Sequence, residues 1–279
     1  MPTDQRPEDR ERSPGHPTLL NPLEPLIEPL EPLLEVPEEL LRRLAGTFAG
    51  RWLVDASKRW TRRGVIATFF VGFSLPYFRL LNEVRVQGDD LLDTLPRTNV
   101  VFLSNHQTYF LEAMAFFDLV YVRHKFPLEN PVLRFSAAEE TMKMNPLTIL
   151  MKMAGGVTLK RRTRDAGREV NRPVDLEGVA RIQEAIRSGW LLHFPAGTTR
   201  EGAPIRPGVA RMLHDTKPVA VPVRVDGFRR MLLLRQVPGK MFRSCSITIL
   251  PPLDLEEFYR QPLTKESGEE VIARLSQML

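Results

Sequence analysis

The sequence has few of the features that commit a chain to a secreted, disulfide-bonded or membrane-spanning class. Its 279 residues include a single cysteine, Cys245, so an intrachain disulfide is excluded and the chain suits a reducing compartment. It contains no uninterrupted run of about 20 apolar residues, so we expect no regular membrane-spanning helix. Its first residues are charged and rich in proline, which argues against a secretory signal.

The sequence also gives no sign of a metal or dinucleotide site. No histidine has metal-ligand spacing to another histidine or to Cys245. The pair Gly155-Gly156 lacks the third glycine and the following acid of a dinucleotide-binding loop. Cys245 lies in a β-rich stretch, and we interpret it as a buried, inert thiol. We therefore expect neither a metal nor a resident cofactor.

Charge is divided unevenly along the chain. Residues 1–40 carry ten acidic and three basic side chains, so the other 239 residues carry 36 basic and 24 acidic ones. This basic part favours an anionic partner, such as a membrane surface with anionic lipid or a phosphate-bearing substrate. Nucleic acid is not expected, because the basic residues are spread and no recognised nucleic-acid motif accompanies them.

Two segments precede the main domain. In residues 1–37, proline recurs every three or four positions between 22 and 32, which predicts an extended tail. We interpret it as disordered and solvated, with a docking segment as the alternative. Residues 38–83 are predicted to be helical. There the basic collar, residues 58–63, precedes the apolar stretch 65–78, a pattern typical of an interfacial membrane anchor. The alternative is an ordinary core helix.

Residues 84–279 predict an α/β domain, because short apolar strands alternate with helical patterns. We expect a mixed, largely parallel sheet of about seven strands, flanked by helices. The helix over 176–187 has Asp175 as its predicted N-cap. The predicted strands are Val84–Gln87, Asn99–Ser104, Leu133–Ala137, Val157–Lys160, Leu191–Phe194, Val219–Val225 and Ser246–Leu250.

His106 is the first candidate catalytic residue. It follows the apolar run 100–103, and Glu112 follows it within two helical turns. An imidazole at the end of a buried strand, with an acid in reach, is suited to act as a general base. The pattern alone is weak, since a histidine next to an acid is more often a surface or core pair.

Four short blocks strengthen this interpretation. Taken in order, they resemble the glycerolipid acyltransferase family, typified by the lysophosphatidate acyltransferases. The first and third blocks together carry most of the specificity. The blocks are Asn105-His106-Gln107-Thr108-Tyr109, Gly155-Gly156-Val157-Thr158-Leu159-Lys160-Arg161, Phe194-Pro195-Ala196-Gly197-Thr198-Thr199-Arg200 and Val221-Pro222-Val223.

The resemblance implies transfer of a fatty acyl group from acyl-CoA or acyl carrier protein to a hydroxyl of a glycerol phosphate or lysophospholipid. His106 would take the hydroxyl proton, and a carboxylate behind the ring would hold its tautomer. Arg161 would pair with the acceptor phosphate. Gly197 and Thr198 would bring backbone donors close to the substrate. We expect a peripheral or monotopic protein on the cytoplasmic face of a membrane.

The chain departs from the family at the histidine's acid. The family places an aspartate five residues after the histidine, and here that position is Leu111, with Glu112 one residue later. One residue rotates a helical side chain by about 100°. We predict that Glu112 nevertheless partners His106, the alternative being a solvated helix residue.

The third block departs further. Ala196 stands where the family has a glutamate, and Thr199 where an arginine is typical, with Arg200 one position later. Arg200 is a candidate phosphate ligand and Thr199 a candidate substrate contact, while Glu201 is a candidate substitute for the lost acid. The missing carboxylates leave open an alternative function, a catalytically impaired relative that binds lipid or acyl-CoA.

Overall fold

A computed structural model describes residues 59–279 with short gaps. The predicted tail, residues 1–37, and the first part of the predicted helical element, residues 38–58, lie outside the described residues. The described ranges are 59–128, 132–143, 146–160, 164–165, 168–169, 173–234 and 237–279.

Within the described residues, seven strands form one central sheet in the order β1-β7-β6-β2-β5-β3-β4. All neighbours are parallel except β6 and β7, which pair antiparallel. The predicted α/β class and all seven predicted strands are therefore confirmed, with strand ends within two residues. The strands are β1 Glu83–Gln87, β2 Val100–Ser104, β3 Leu133–Ala138, β4 Gly156–Leu159, β5 Trp190–His193, β6 Val219–Asp226 and β7 Ser244–Ile249.

Helices cover both faces of the sheet. Helix α2 packs on one face, while α4, α5 and α7 contribute to a second apolar cluster on the other. As predicted, Asp175 caps α4, accepting a hydrogen bond from Gly178 N at 3.0 Å. The helices after the first strand are α1 Leu91–Thr94, α2 Leu111–Asp118 (continued by a π-helical turn, Leu119–Arg123), α3 Pro146–Gly155, α4 Leu176–Arg187, α5 Gly208–Thr216, α6 Glu256–Arg260 and α7 Lys265–Met278. Short 3₁₀ turns occur at Thr141–Lys143 and Phe228–Met231, and two-stranded ribbons pair Arg164–Asp165 with Arg168–Glu169 and Leu232–Leu234 with Val237–Pro238.

Strand β2 is the centre of the fold. Every one of its residues is buried, and it lies between β5 and β6. A continuous apolar run is what a parallel strand covered on both faces requires. The chain leaves this strand at the carboxyl edge of the sheet, where ligands bind in open α/β sheets.

Cys245 lies on β7 with its side chain in the core. Burial raises the pKa of its thiol to about 12, so the reactive thiolate is not populated near neutral pH. The predicted burial of this thiol is therefore confirmed.

The N-terminal helical segment, residues 59–80, belongs to the same compact unit as the sheet. It includes two π-helical stretches, Ile66–Val71 and Pro76–Leu80, joined by a short α-helical turn at Gly72–Leu75. Ile66 and Phe78 lie in the core, whereas Trp60 and Leu80 are 68% and 72% exposed. The segment is thus both a core element and an exposed apolar surface. No helix of the described residues is long and apolar enough to cross a membrane.

One arginine of the basic collar, the half-buried Arg62, directs its guanidinium into the domain. Arg62 Nη2 donates to Leu133 O at 2.5 Å and its Nε donates to Ala154 O at 3.0 Å. Burial lowers the pKa of this guanidinium to about 10. Gly155 has φ +128°, and a Cβ there would lie 2.9 Å from Arg62 Nη2, so the glycine makes room for the arginine. Arg62 therefore anchors the N-terminal segment to β3 and α3.

We predict that Arg62→Met lowers the free energy of unfolding by about 2–4 kcal/mol, because two carbonyls lose a charged donor. The matched control is Arg63→Met, whose guanidinium lies 4.5 Å from the Trp60 ring centroid. The Trp60 ring is 68% exposed, so the loss of this cation–π contact costs about 1 kcal/mol or less. Urea unfolding of both variants measures the difference, and equal losses would contradict the anchoring role of Arg62.

Candidate active site

The turn after β2 carries His106 and is fastened to β6. The Asn105 side-chain amide makes two hydrogen bonds with Val225, donating to its carbonyl at 2.8 Å and accepting from its N–H at 2.7 Å. The Gln107 side-chain carbonyl accepts from Phe228 N at 3.0 Å. Asn105 and Gln107, the two neighbours of His106, therefore both attach the turn to backbone groups in or just after β6.

Glu112 holds the same turn from inside. Its Oε1 accepts from the backbone N–H groups of Gln107 at 2.5 Å and Thr108 at 2.6 Å, and its Oε2 accepts from the Thr108 hydroxyl at 2.6 Å. Oε1 lies 3.8 Å from His106 Nδ1, which is an ion-pair distance rather than a hydrogen bond. Leu111, at the family's aspartate position, is fully buried in the core. Glu112 is therefore a buried residue behind the histidine and not a solvated helix residue.

Burial raises the pKa of Glu112 to about 7, with the hydrogen bonds from Thr108 and the Gln107 backbone acting in the opposite direction. Its side chain is 1% exposed. A carboxyl that gains and loses its proton near neutral pH responds readily to a charge formed beside it. Glu112 is therefore suited to stabilise an imidazolium at His106.

The His106 ring is held in its plane by Phe194. The two rings stack with centroids 4.0 Å apart and an interplanar angle of 25°. The His106 side chain is 13% exposed, so one edge still reaches solvent. Phe194 opens the third block, and it follows β5, the parallel neighbour of β2. The stacking joins the first and third blocks into one site.

The third block forms a tight turn after β5. Gly197 has φ +63°, and its N–H donates to Phe194 O at 2.9 Å. A Cβ at Gly197 would lie 3.0 Å from Arg206 Nε, which itself donates to Ala196 O at 3.2 Å. The group that lies close to the Gly197 backbone in the structure is therefore the Arg206 side chain. The Gly197 N–H donates within the turn, and its predicted contact with substrate stays a prediction.

The remaining predicted residues are distributed around this turn. Thr198 Oγ1 accepts from the backbone N–H of Arg200 at 3.3 Å, and the Arg200 side chain is exposed. The Thr199 carbonyl accepts a hydrogen bond from Arg229. Arg161 lies outside the described residues, although Lys160 before it donates its N–H to the N-cap Asp175 at 2.9 Å.

Arg229 is a site residue that the sequence reasoning missed. It lies in the 3₁₀ turn that follows β6. Its Nε donates to Gln107 O at 3.4 Å, its Nη2 to Thr199 O, and its Nη1 to Glu201 Oε2 at 3.0 Å. It therefore spans the histidine turn and the third block. No sequence motif marks it. The one indication in the sequence is its position shortly after the predicted strand that contains the fourth block.

His193, the last residue of β5, is not part of this arrangement. Its Nδ1 lies 2.8 Å from the Ser136 hydroxyl on β3. Burial, together with the nearby Arg206 charge, lowers the pKa of His193 to about 4, so a neutral ring makes this hydrogen bond with the Ser136 hydroxyl. This pair therefore fastens two neighbouring strands of the sheet.

The fold and site together define a class: an α/β domain with a buried carboxyl and a stacked histidine at the carboxyl edge of its sheet. A model of the acyltransferase family matches residues 83–226, just over half of the chain and all four blocks. The chain belongs to the acyltransferase family, which confirms the resemblance at family level.

Among solved structures, the chain is similar to the 1-acyl-sn-glycerophosphate (LPA) acyltransferase PlsC from Thermotoga maritima. The TM-score is 0.44 at 15% sequence identity, and the alignment covers 90% of this chain and 91% of that chain. No curated protein matches the chain significantly.

The raised pKa of Glu112 predicts a pH-dependent stability. Between its ordinary value of 4.5 and about 7, the folded protein keeps a proton that the unfolded chain has lost. Stability should therefore fall as pH rises through this window, by about 3 kcal/mol, and level off above it.

Urea unfolding of wild type and Glu112→Gln, from about pH 5 to about pH 8, measures this effect. The variant has no titrating carboxyl, so its stability relative to wild type should improve as pH rises. The exposed Glu256→Gln serves as the matched control and should follow wild type. A Glu112→Gln difference that is independent of pH would contradict the assignment.

Proposed function

We propose that this protein transfers a fatty acyl group from a thioester to the hydroxyl of a lysophosphatidate-like acceptor. The donor is acyl-CoA or acyl carrier protein. The observation that carries the proposal is the position of the His106 ring, stacked on Phe194 and backed by the buried Glu112 carboxyl. Acyl transfer itself is supported by the family match.

The geometry supports separate roles for the two ring nitrogens. Nδ1 faces Glu112, and Nε2 is proposed as the atom that acts on the substrate. Nε2 takes the proton of the acceptor hydroxyl as its oxygen attacks the thioester carbonyl carbon. The resulting imidazolium is stabilised by the Glu112 carboxylate. When the C–S bond breaks, the thiolate leaving group receives that proton, and His106 returns to its starting state.

The acceptor is proposed to bind at the basic edge formed by the second and third blocks. Arg161 and Arg200 are the candidate ligands of its phosphate, since guanidinium binds phosphate through paired hydrogen bonds. Thr198 and Thr199 are the candidate contacts to the reacting part of the substrate. Arg161 and Thr198 follow from the family resemblance, whereas Thr199 and Arg200 are proposed from their positions in a block that departs from the family's pattern.

The site is proposed to work at a membrane surface, on its cytoplasmic face. The N-terminal segment exposes Trp60, Phe73 and Leu80, and the charge of the domain is basic. Exposed apolar side chains with neighbouring cations favour binding to anionic lipid. Such a position would give the site direct access to a lysophospholipid.

A second candidate function is lipid or acyl-CoA binding without turnover. It is favoured by Ala196, which leaves the third block without the family's carboxylate, and by Glu201, which is paired with Arg229. This function predicts that wild type and His106→Ala both bind the acceptor or the donor. It also predicts that neither of these two proteins forms an acylated product.

We predict that His106→Ala lowers kcat for acyl transfer by about 10²- to 10⁴-fold, because the general base is lost. Purified protein is assayed with acyl-CoA or acyl carrier protein and a panel of lyso-lipids in vesicles. His214→Ala is the control, since His214 lies on α5 and bonds Gln261 O at 2.8 Å. Equal rates for wild type and His106→Ala would show that His106 is not the base.

A further inference from the structure

Arg229 has the geometry of an anion ligand fixed next to the proposed base. Its guanidinium donates to the carbonyl of Gln107, the residue after His106, and to the carbonyl of Thr199. Two backbone carbonyls from different blocks therefore set its position. A guanidinium has more N–H groups than these contacts use, so it can still bind an oxyanion.

The third contact of Arg229 is of a different kind. Glu201 Oε2 accepts from Nη1 at 3.0 Å, but the Glu201 side chain is 89% exposed, against 42% for Arg229. An exposed ion pair of this kind is weak and screened by solvent. A phosphate carries more charge than a carboxylate and presents more acceptor oxygens. It can therefore replace Glu201 while the two backbone contacts stay in place.

We propose that Arg229 is a phosphate ligand for the acceptor, and that Glu201 occupies its guanidinium when the acceptor is absent. The ligand class is a phosphomonoester on glycerol, whose free hydroxyl lies only a few bonds from the phosphate. This spacing suits an anion ligand whose guanidinium contacts the carbonyl of Gln107, the residue after His106. The inference rests on the proposed acyl transfer, and it deepens it by assigning a phosphate contact to a residue outside the four blocks.

The proposal also gives Glu201 a role other than the one suggested by its position after the third block. A substitute for the missing glutamate would assist turnover, so its loss would lower kcat. A carboxylate that competes with phosphate for Arg229 has the opposite effect, because its loss frees the guanidinium. The two roles therefore predict changes of opposite sign.

The test uses the 279-residue chain with lysophosphatidate as acceptor. Arg229→Gln should raise KM about ten- to hundredfold and change kcat little, since a charge-assisted contact to the substrate is lost. Glu201→Gln should lower KM by about two- to fivefold. Arg229→Lys should raise KM less than Arg229→Gln does, because lysine keeps the positive charge but lacks the planar guanidinium that makes paired hydrogen bonds.

The matched control is Arg230→Gln, the neighbouring arginine, which pairs with Asp226 at 3.3 Å. Its KM should stay close to wild type, and a rise equal to that of Arg229→Gln would show a general charge effect and overturn the assignment. Thermal unfolding by circular dichroism establishes that each variant is folded. A fall in kcat for Glu201→Gln, with KM unchanged, would overturn its role as a competitor.

Binding of glycerol 3-phosphate, followed by ligand-observed NMR with glycerol as the uncharged control, separates this inference from the proposed reaction. If wild type turns over no acceptor but binds glycerol 3-phosphate through Arg229, the reaction is wrong and the phosphate contact stands. If wild type turns over lysophosphatidate and Arg229→Gln behaves identically, the contact is wrong and the reaction stands. No binding and no turnover by wild type would overturn both.

Discussion

The buried carboxyl of Glu112 is the interaction on which the site depends. It gathers two backbone N–H groups and one hydroxyl from the turn that follows β2, all within 2.6 Å. Those donors would otherwise be unpaired in the core, which is costly. The same carboxyl stands 3.8 Å behind the His106 ring. One side chain therefore shapes the turn that carries the histidine and lies where a carboxylate would stabilise a protonated ring.

The rest of the site follows from strand order. Because β2 lies between β5 and β6, the chain segments that leave these three strands meet at one edge of the sheet. Phe194 arrives from β5 and stacks on His106, and Arg229 arrives after β6 and contacts Gln107. The blocks are far apart along the chain, but parallel pairing makes them neighbours. The contacts beside His106 are stacking and a charge-assisted hydrogen bond, whereas Glu201 is joined to Arg229 by an exposed ion pair.

The N-terminal segment shows why a composition pattern can support two interpretations at once. Its basic collar and apolar stretch predict either a membrane anchor or a core helix. The structure buries Arg62 and Ile66 against the domain while Trp60 and Leu80 face outward. A helix has two faces, and the segment's residues divide between them. Proposed membrane binding and core packing are therefore compatible, and Arg62 connects the segment to the strand and helix that precede the second block.

The sequence by itself determined the seven strands, the Asp175 cap and the position of His106 at a strand end, because apolar runs and capping residues act over a few neighbouring positions. It also marked Glu112 as the histidine's candidate partner, but not how the carboxyl would turn, since a one-residue shift rotates a side chain by about 100°. Only the tertiary structure decided that orientation, the burial of Arg62 and the place of Arg229 beside Gln107. Each of these depends on which strands and helices become neighbours. That choice is made by burial and strand register over the whole domain, and no local pattern encodes it.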